Sequence, residues 1–120
     1  EWFFQLEGHI TVRIQEDGKP REVHLGPGDM FLCPAKTPHR PVREAGSVGL
    51  VLERKRAGRG FTDGLMWFCE SCNHSLHAAY FELHNIEQDF LPHFREFYGS
   101  ESLRTCGECG HVMESDPRFV

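Results

Sequence analysis

Two Cys-x-x-Cys pairs constrain this chain more than any other feature: Cys69 and Cys72 in Cys-Glu-Ser-Cys, then Cys106 and Cys109 in Cys-Gly-Glu-Cys. A tetrahedral metal takes four thiolates, and two tight knuckles deliver two each. Residues 73–105 separate the pairs, which is the spacing of a closed zinc or rubredoxin-type iron site. Asn73 and Gly110 each follow a pair. Both residue types accept the left-handed backbone that turns N–H groups toward sulfur. Two disulfides or four ordinary buried thiols are the plainer readings of the same cysteines. Haem attachment requires a histidine directly after the second cysteine, and His74 and His111 each come one residue late. A closed four-sulfur site has no open coordination position. The pattern therefore predicts a staple, and the chemistry is to be sought elsewhere.

A staple suits a chain of 120 residues, which makes one domain with a small appendage at most. Hydrophobic residues at 39%, including ten Phe, supply a core. The net charge of −5, with no basic stripe along any segment, argues against a nucleic-acid partner. No apolar run reaches spanning length and no signal peptide is visible, which argues against a membrane. Thiolate metal sites suit a reducing compartment, so a cytoplasmic protein is expected. The Asn73-His74-Ser75 sequon falls inside a metal knuckle and is discounted on that ground. The chain opens at Glu1 in the middle of a strand-like pattern, which predicts further protein upstream.

The first half reads as short strands with turn punctuation. Glu1 to Leu6 is a strand closed by Gly8, and Ile10, Val12 and Ile14 alternate with polar residues. Asp17-Gly18 signals a hairpin, with Val23 and Leu25 on the returning strand. Gly26-Pro27-Gly28-Asp29 is a second turn, and Met30 to Cys33 a short apolar strand ended by Pro34. Pro38 and Pro41 bracket His39 in an extended stretch. The last clear strand is Gly49 to Arg54, with Gly49, Val51 and Glu53 on one face. Short antiparallel strands at this spacing predict a sandwich or barrel. Arg54 to Gly60 reads as a loop, Leu76 to Leu83 as a strand, and a short helix is expected from Pro92 to Gly99. Its buried face would carry Phe94, Phe97 and Tyr98.

Two further spacings carry chemistry. Glu1 is followed by six residues and Gly8; Gly28 is followed by five residues, Pro34, four residues and His39. These resemble halves of the two cupin motifs, with Lys36 where the second motif often has glycine. Glu1 and His39 would then point into one barrel from different strands. With an upstream histidine they would make a two-histidine, one-carboxylate triad that leaves one side of iron(II) open. The plain alternative is a surface glutamate and a solvated histidine between prolines.

Longer segments are similar to one family, the 3-hydroxyanthranilate 3,4-dioxygenases. Glu-Trp-Phe-Phe-Gln-Leu-Glu-Gly (1–8) resembles its iron-glutamate strand. Gly-Asp-Met-Phe-Leu-Cys-Pro-Ala (28–35) with Pro-His-Arg-Pro (38–41) resembles its iron-histidine segment. Residues 44–54 and 63–69 continue the likeness, and bacterial-type members end in the same two cysteine pairs. The resemblance implies a mainly β fold: a cupin (jelly-roll) barrel with a C-terminal rubredoxin-like metal knuckle and a short helix. Residues 1–60 would form the barrel core, incomplete at its N-terminus. Residues 61–120 would form an extension with the four-cysteine site, packed on the same domain.

The same resemblance implies an iron(II) enzyme that converts 3-hydroxyanthranilate and O2 to 2-amino-3-carboxymuconate semialdehyde, usually as a homodimer. Glu1 and His39 match two iron ligands, and the cysteines match a second iron or zinc. Arg43 matches an arginine that holds the substrate carboxylate, and Glu53 a glutamate near its hydroxyl and amine. The residue types suit these roles: an arginine fork orients a carboxylate, and a carboxylate can accept a phenolic proton. The remaining iron histidine and a second substrate arginine lie upstream in the family. Arg40 stands where serine is usual and Val42 where glutamine is common, which would alter pocket shape. Left as plainer readings are a rim charge for Arg43 and an ion pair with Arg54 or Arg56 for Glu53.

The other histidines lack partners at ligand spacing, and Cys33 reads as a small buried hydrophobe. Two rival functions remain on the sequence alone. One is a non-enzymatic cupin-like binding module with a zinc knuckle; the other is an iron(II) cupin oxygenase for a different catechol-like acid.

Overall fold

The computed structural model describes residues 1–120 and is mainly β. It divides into two compact units, Glu1–Arg54 and Lys55–Val120. The first unit holds β1 (Trp2–Glu7), β2 (Ile10–Glu16), β3 (Lys19–Leu25), β4 (Met30–Leu32), β5 (His39–Arg43) and β6 (Val48–Leu52). They form two antiparallel three-stranded sheets, ordered β4-β1-β6 and β3-β2-β5.

Local chemistry accounts for these strands. In β2 the residues Ile10, Val12 and Ile14 are buried while Arg13 between them is exposed. That period of two is the mark of a sheet with one face in a core. Asp17 and Gly18 both have positive φ, 53° and 74°, which gives the hairpin turn whose twist matches its strands. The Gly26–Asp29 turn is closed twice. Asp29 N–H donates to the Gly26 carbonyl at 3.0 Å, and Gly26 N–H donates to Asp29 Oδ2 at 2.8 Å. Pro41 sits inside β5 without harm because β5 is an edge strand. The core of this unit is Phe3, Ile10, Val12, Ile14, Leu25 and Cys33, with Val23, Phe31 and Val51 packed against it. Two sheets sharing one apolar core give the cupin-like arrangement expected from the sequence.

The second unit pairs β7 (Thr62–Phe68) with β8 (Ser75–Glu82), followed by α1 (Ile86–Tyr98), α2 (Glu101–Arg104) and a 3-10 turn at Pro117–Phe119. Trp67, Phe97 and Met113 form its core, with Leu65, Leu76, Phe94, Tyr98 and Leu103 around them. The rings of Trp67 and Phe97 stack with centroids 4.5 Å apart. No helix is long and apolar enough to cross a membrane.

Two features depart from expectation. The helix starts at Ile86, six residues before Pro92. Asn85 caps it by accepting from Gln88 N–H, and the Asp89 carboxylate accepts from the N–H groups of His84 and Asn85. Pro92 lies inside the helix, where it removes one backbone bond and costs about 3 kcal/mol. Burial of the Phe94, Phe97 and Tyr98 face offsets that cost. Strand β7 was not anticipated, because Gly64 interrupts its pattern. The glycine is there for contact: a Cβ at Gly64 would lie 2.9 Å from the ring of Tyr80 on β8.

Candidate functional site

Strand register decides which side chains meet. Residues directly opposed across antiparallel strands project to the same side. His39, Pro41 and Arg43 oppose Ile14, Val12 and Ile10, so His39 and Arg43 lie on the core-facing side of their sheet. In the other sheet Phe3 opposes Val51 and Gln5 opposes Gly49. Phe3 and Gln5 are buried, and the period of two places Glu1 and Glu53 on that same inward side. The two inward faces thus carry Glu1, Glu53 and His39 at one level, Phe3, Val51 and Pro41 at the next, and Gln5, Gly49 and Arg43 at the one after.

The contacts agree with the register. His39 Nε2 lies 3.2 Å from Glu1 Oε1, both side chains about three-quarters buried. His39 Nδ1 lies 2.9 Å from the Thr37 carbonyl oxygen. A carbonyl only accepts, so Nδ1 carries a hydrogen and donates it. In the neutral ring, Nε2 is then a lone pair facing a carboxylate. Two acceptors at that distance need a shared cation, either a proton on the imidazole or a metal. Cis ligands with bonds of about 2.1–2.2 Å stand roughly 3 Å apart, so the pair fits a metal as it stands. Burial alone would raise the Glu1 carboxyl, but it is held below the ordinary value. A hydrogen bond with Glu53 and the His39 ring lower it. Arg56 forks onto Asp63 at 2.8 and 3.1 Å.

Lys36 has φ 61°, in the left-handed region where the cupin motif often places glycine. Arg40 and Val42 oppose Arg13 and Thr11, on the side of β5 away from His39 and Arg43. The expectation that these two departures reshape the pocket is therefore corrected: alternation along the strand turns them away from it. Sequence reading passed over Gln5 and Gly49. Their signal was the same period of two that selected Glu53, but glutamine and glycine in a strand attracted no chemistry.

The cysteines converge in the second unit. All four sulfurs lie within 4.8 Å of one another, with Cys69–Cys109 at 3.6 Å and Cys72–Cys106 at 3.5 Å. Bonds of about 2.3 Å to one tetrahedral ion put sulfurs about 3.8 Å apart. The two knuckles are built alike. Cys69 and Cys106 N–H donate to the His74 and His111 carbonyls, and Asn73 and Gly110 N–H donate back to Cys69 and Cys106. Asn73 and Gly110 have φ 64° and 78°, as the spacing required. Ser71 N–H and Glu108 N–H each point at sulfur at 3.4 Å.

Without a cation, four clustered thiols cannot all ionise. The Cys109 backbone N–H brings the Cys106 thiol down to about 6. Cys69 is lowered likewise, chiefly by the Cys72 backbone N–H. Cys72 is pushed up to about 12: although the His74 backbone N–H lowers it, desolvation and the neighbouring sulfurs hold its proton. A divalent ion is what lets all four be thiolates.

Comparison with known proteins follows the same residues. The family described as 3-hydroxyanthranilic acid dioxygenase matches residues 1–98. A Xanthomonas campestris pv. campestris protein named 3-hydroxyanthranilate 3,4-dioxygenase is 51% identical over 120 residues, covering 100% of this chain and 68% of its own length. A protein of the same name from Xanthomonas oryzae pv. oryzae is 49% identical over the same span. One from Paraburkholderia phytofirmans is 45% identical over 113 residues, or 93% of this chain and 64% of its own.

Proposed function

Because the chain belongs to the 3-hydroxyanthranilic acid dioxygenase family, we propose that its first unit carries part of an iron(II) site for ring cleavage of 3-hydroxyanthranilate by O2. The product is 2-amino-3-carboxymuconate semialdehyde, in the branch of tryptophan breakdown that leads to quinolinate and NAD. The observation that carries this reading is His39 Nε2 held 3.2 Å from the Glu1 carboxylate with Nδ1 turned to the Thr37 carbonyl, a spacing that suits two ligands of one cation.

Bound iron(II) supplies a Lewis acid for the neighbouring amino and hydroxyl groups of the substrate and the electrons that activate O2. The side chains do the rest. Glu1 and His39 hold two coordination positions. Arg43, on the same inward face two levels along, binds the ring carboxylate through its planar fork and fixes the ring's orientation. Glu53, beside Glu1, would accept the proton of the substrate's phenolic hydroxyl. Glu1 also shares a hydrogen bond with Glu53, so a second carboxylate stands beside the Glu1–His39 pair. Glu1 and His39 are two of the three ligands of the proposed triad, so these two residues by themselves are proposed to hold iron weakly. The cysteine site takes one iron or zinc as a staple.

The experiment is a pair of variants in the full-length protein. Arg43→Ala raises KM for 3-hydroxyanthranilate by about 100-fold with a smaller change in kcat, because it removes a charged hydrogen-bond partner. Glu53→Gln lowers kcat more than it raises KM. Wild-type kinetics in both variants would reject the reading.

The outer face of the β4-β1-β6 sheet supports a homodimer. Met30, Leu32, Leu50 and Leu52 are 59, 70, 49 and 61% exposed there, in two rows that cross Phe4 and Trp2. They present roughly 400 Å² of apolar surface, about half of the ~800 Å² that a partner contributes to a stable interface. A second copy of the chain is the proposed occupant.

A further inference from the structure

Gln5 is a polar side chain buried to 1% exposure within an inward face that is otherwise apolar at its centre. Burying an amide is costly unless both its ends are used. One end is used plainly: Gln5 Nε2 donates to the Glu7 carbonyl oxygen at 2.8 Å. That bond fixes the amide plane and turns Oε1 the other way, across the opposing strand at Gly49. There a Cβ on Gly49 would lie 2.6 Å from Gln5 Oε1 and 3.2 Å from Arg43 Nη1. The negative end of the amide and the arginine fork both close on the space that the missing methyl would occupy.

We propose that Gln5 is a positioning residue for Arg43 and that Gly49 is the gap that lets the two side chains approach. The reading rests on Arg43 as the substrate-carboxylate partner. A free arginine on an edge strand would sample many rotamers and lose entropy on binding. A buried amide dipole, held from behind by the β1 backbone, biases the guanidinium toward one position. It adds no charge that would compete with the incoming carboxylate. Glutamate at position 5 would have the same reach but would neutralise the fork. The device favours a ring that carries a carboxylate over the same ring without one.

The test compares 3-hydroxyanthranilate with 2-aminophenol, which keeps the neighbouring amino and hydroxyl groups and lacks the carboxylate. Full-length, iron-loaded protein is assayed for ring cleavage of each. Binding of each is also titrated by calorimetry without oxygen, so that affinity is read apart from turnover. Arg43→Ala is expected to lower the preference for the carboxylated ring by about 100-fold. Gln5→Leu, which keeps the bulk and removes both polar ends, is expected to lower it about 10-fold. KM for the carboxylated ring should rise while kcat for both rings stays within about 2-fold. Gln5→Glu should lower the preference at least as far, although it keeps the oxygen. Gly49→Ala should act in the same direction by displacing Gln5 Oε1.

A merely structural role for Gln5 predicts equal losses on both rings, and that result overturns the proposal. Retention of the wild-type preference in both Gln5 variants, with Arg43→Ala losing it, overturns the proposal and leaves the Arg43 reading intact. An Arg43→Ala variant that keeps the preference rejects the Arg43 reading, and this one with it.

Discussion

Replacing Cys106 by serine removes one of four converging sulfurs, and the size of the effect can be worked from the site. A structural zinc ion contributes about 10–16 kcal/mol at neutral pH through four ligands, so one ligand is worth roughly 3 kcal/mol, or about two orders of magnitude in metal affinity. The unit that depends on it, Lys55–Val120, buries a core of only Trp67, Phe97 and Met113. Domains of that size draw only about 3–5 kcal/mol from their core, so the loss is comparable with the whole margin. Cys106 also anchors its knuckle. Its N–H donates to the His111 carbonyl and its sulfur receives the Glu108 N–H, so a misplaced ligand loosens both. A melting temperature lower by more than about 10 °C follows from the usual entropy of unfolding at this size. The assay is metal content per chain by mass spectrometry, together with limited proteolysis and thermal unfolding, on wild type and Cys106→Ser. Faster digestion of residues 55–120 and loss of the thiolate-bound ion are expected, with residues 1–54 unchanged. An unaltered metal content and an unaltered melt would refute the staple.

The Asp89 carboxylate is held below its ordinary value, first by the Asn85 N–H and then by the His84 N–H. A lowered carboxyl contributes stability that is present above the ordinary value near 3.8 and lost as pH falls through the lower folded value. Asp89→Asn should therefore weaken helix α1 at neutral pH and flatten the acid limb of its far-UV signal below pH 4. Phe97→Ala empties the fully buried centre of the second unit and should cost about 3–5 kcal/mol, read by denaturant unfolding of the metal-loaded protein; a loss under about 1 kcal/mol would contradict the packing. Leu32→Lys with Leu52→Lys should convert a dimer to monomer in sedimentation experiments, since two charges cannot be buried unpaired. A dimer that survives both changes would clear that sheet face of the role.

The cysteine knuckles were legible from the sequence because their chemistry is local. Two residues of spacing fix each pair of sulfurs, and the left-handed Asn73 and Gly110 aim the backbone at them whatever the rest of the chain does. The hairpin at Asp17-Gly18 and the alternation of Ile10, Val12 and Ile14 were legible for the same reason. Alternation also put Glu53 on the side of Gly49 and Val51 before any partner was known. What the sequence left open was decided by pairing between distant strands. Only the register shows that Arg40 and Val42 turn away from His39, and that Gln5, Gly49 and Arg43 share one level. The helix boundary shifted to Ile86 because tertiary burial of Phe97 outweighed the cost of an internal Pro92, a balance that no local window contains. Residue types and short spacings specify which chemistry is available; the non-local register of the sheets decides which of those groups can act on one another.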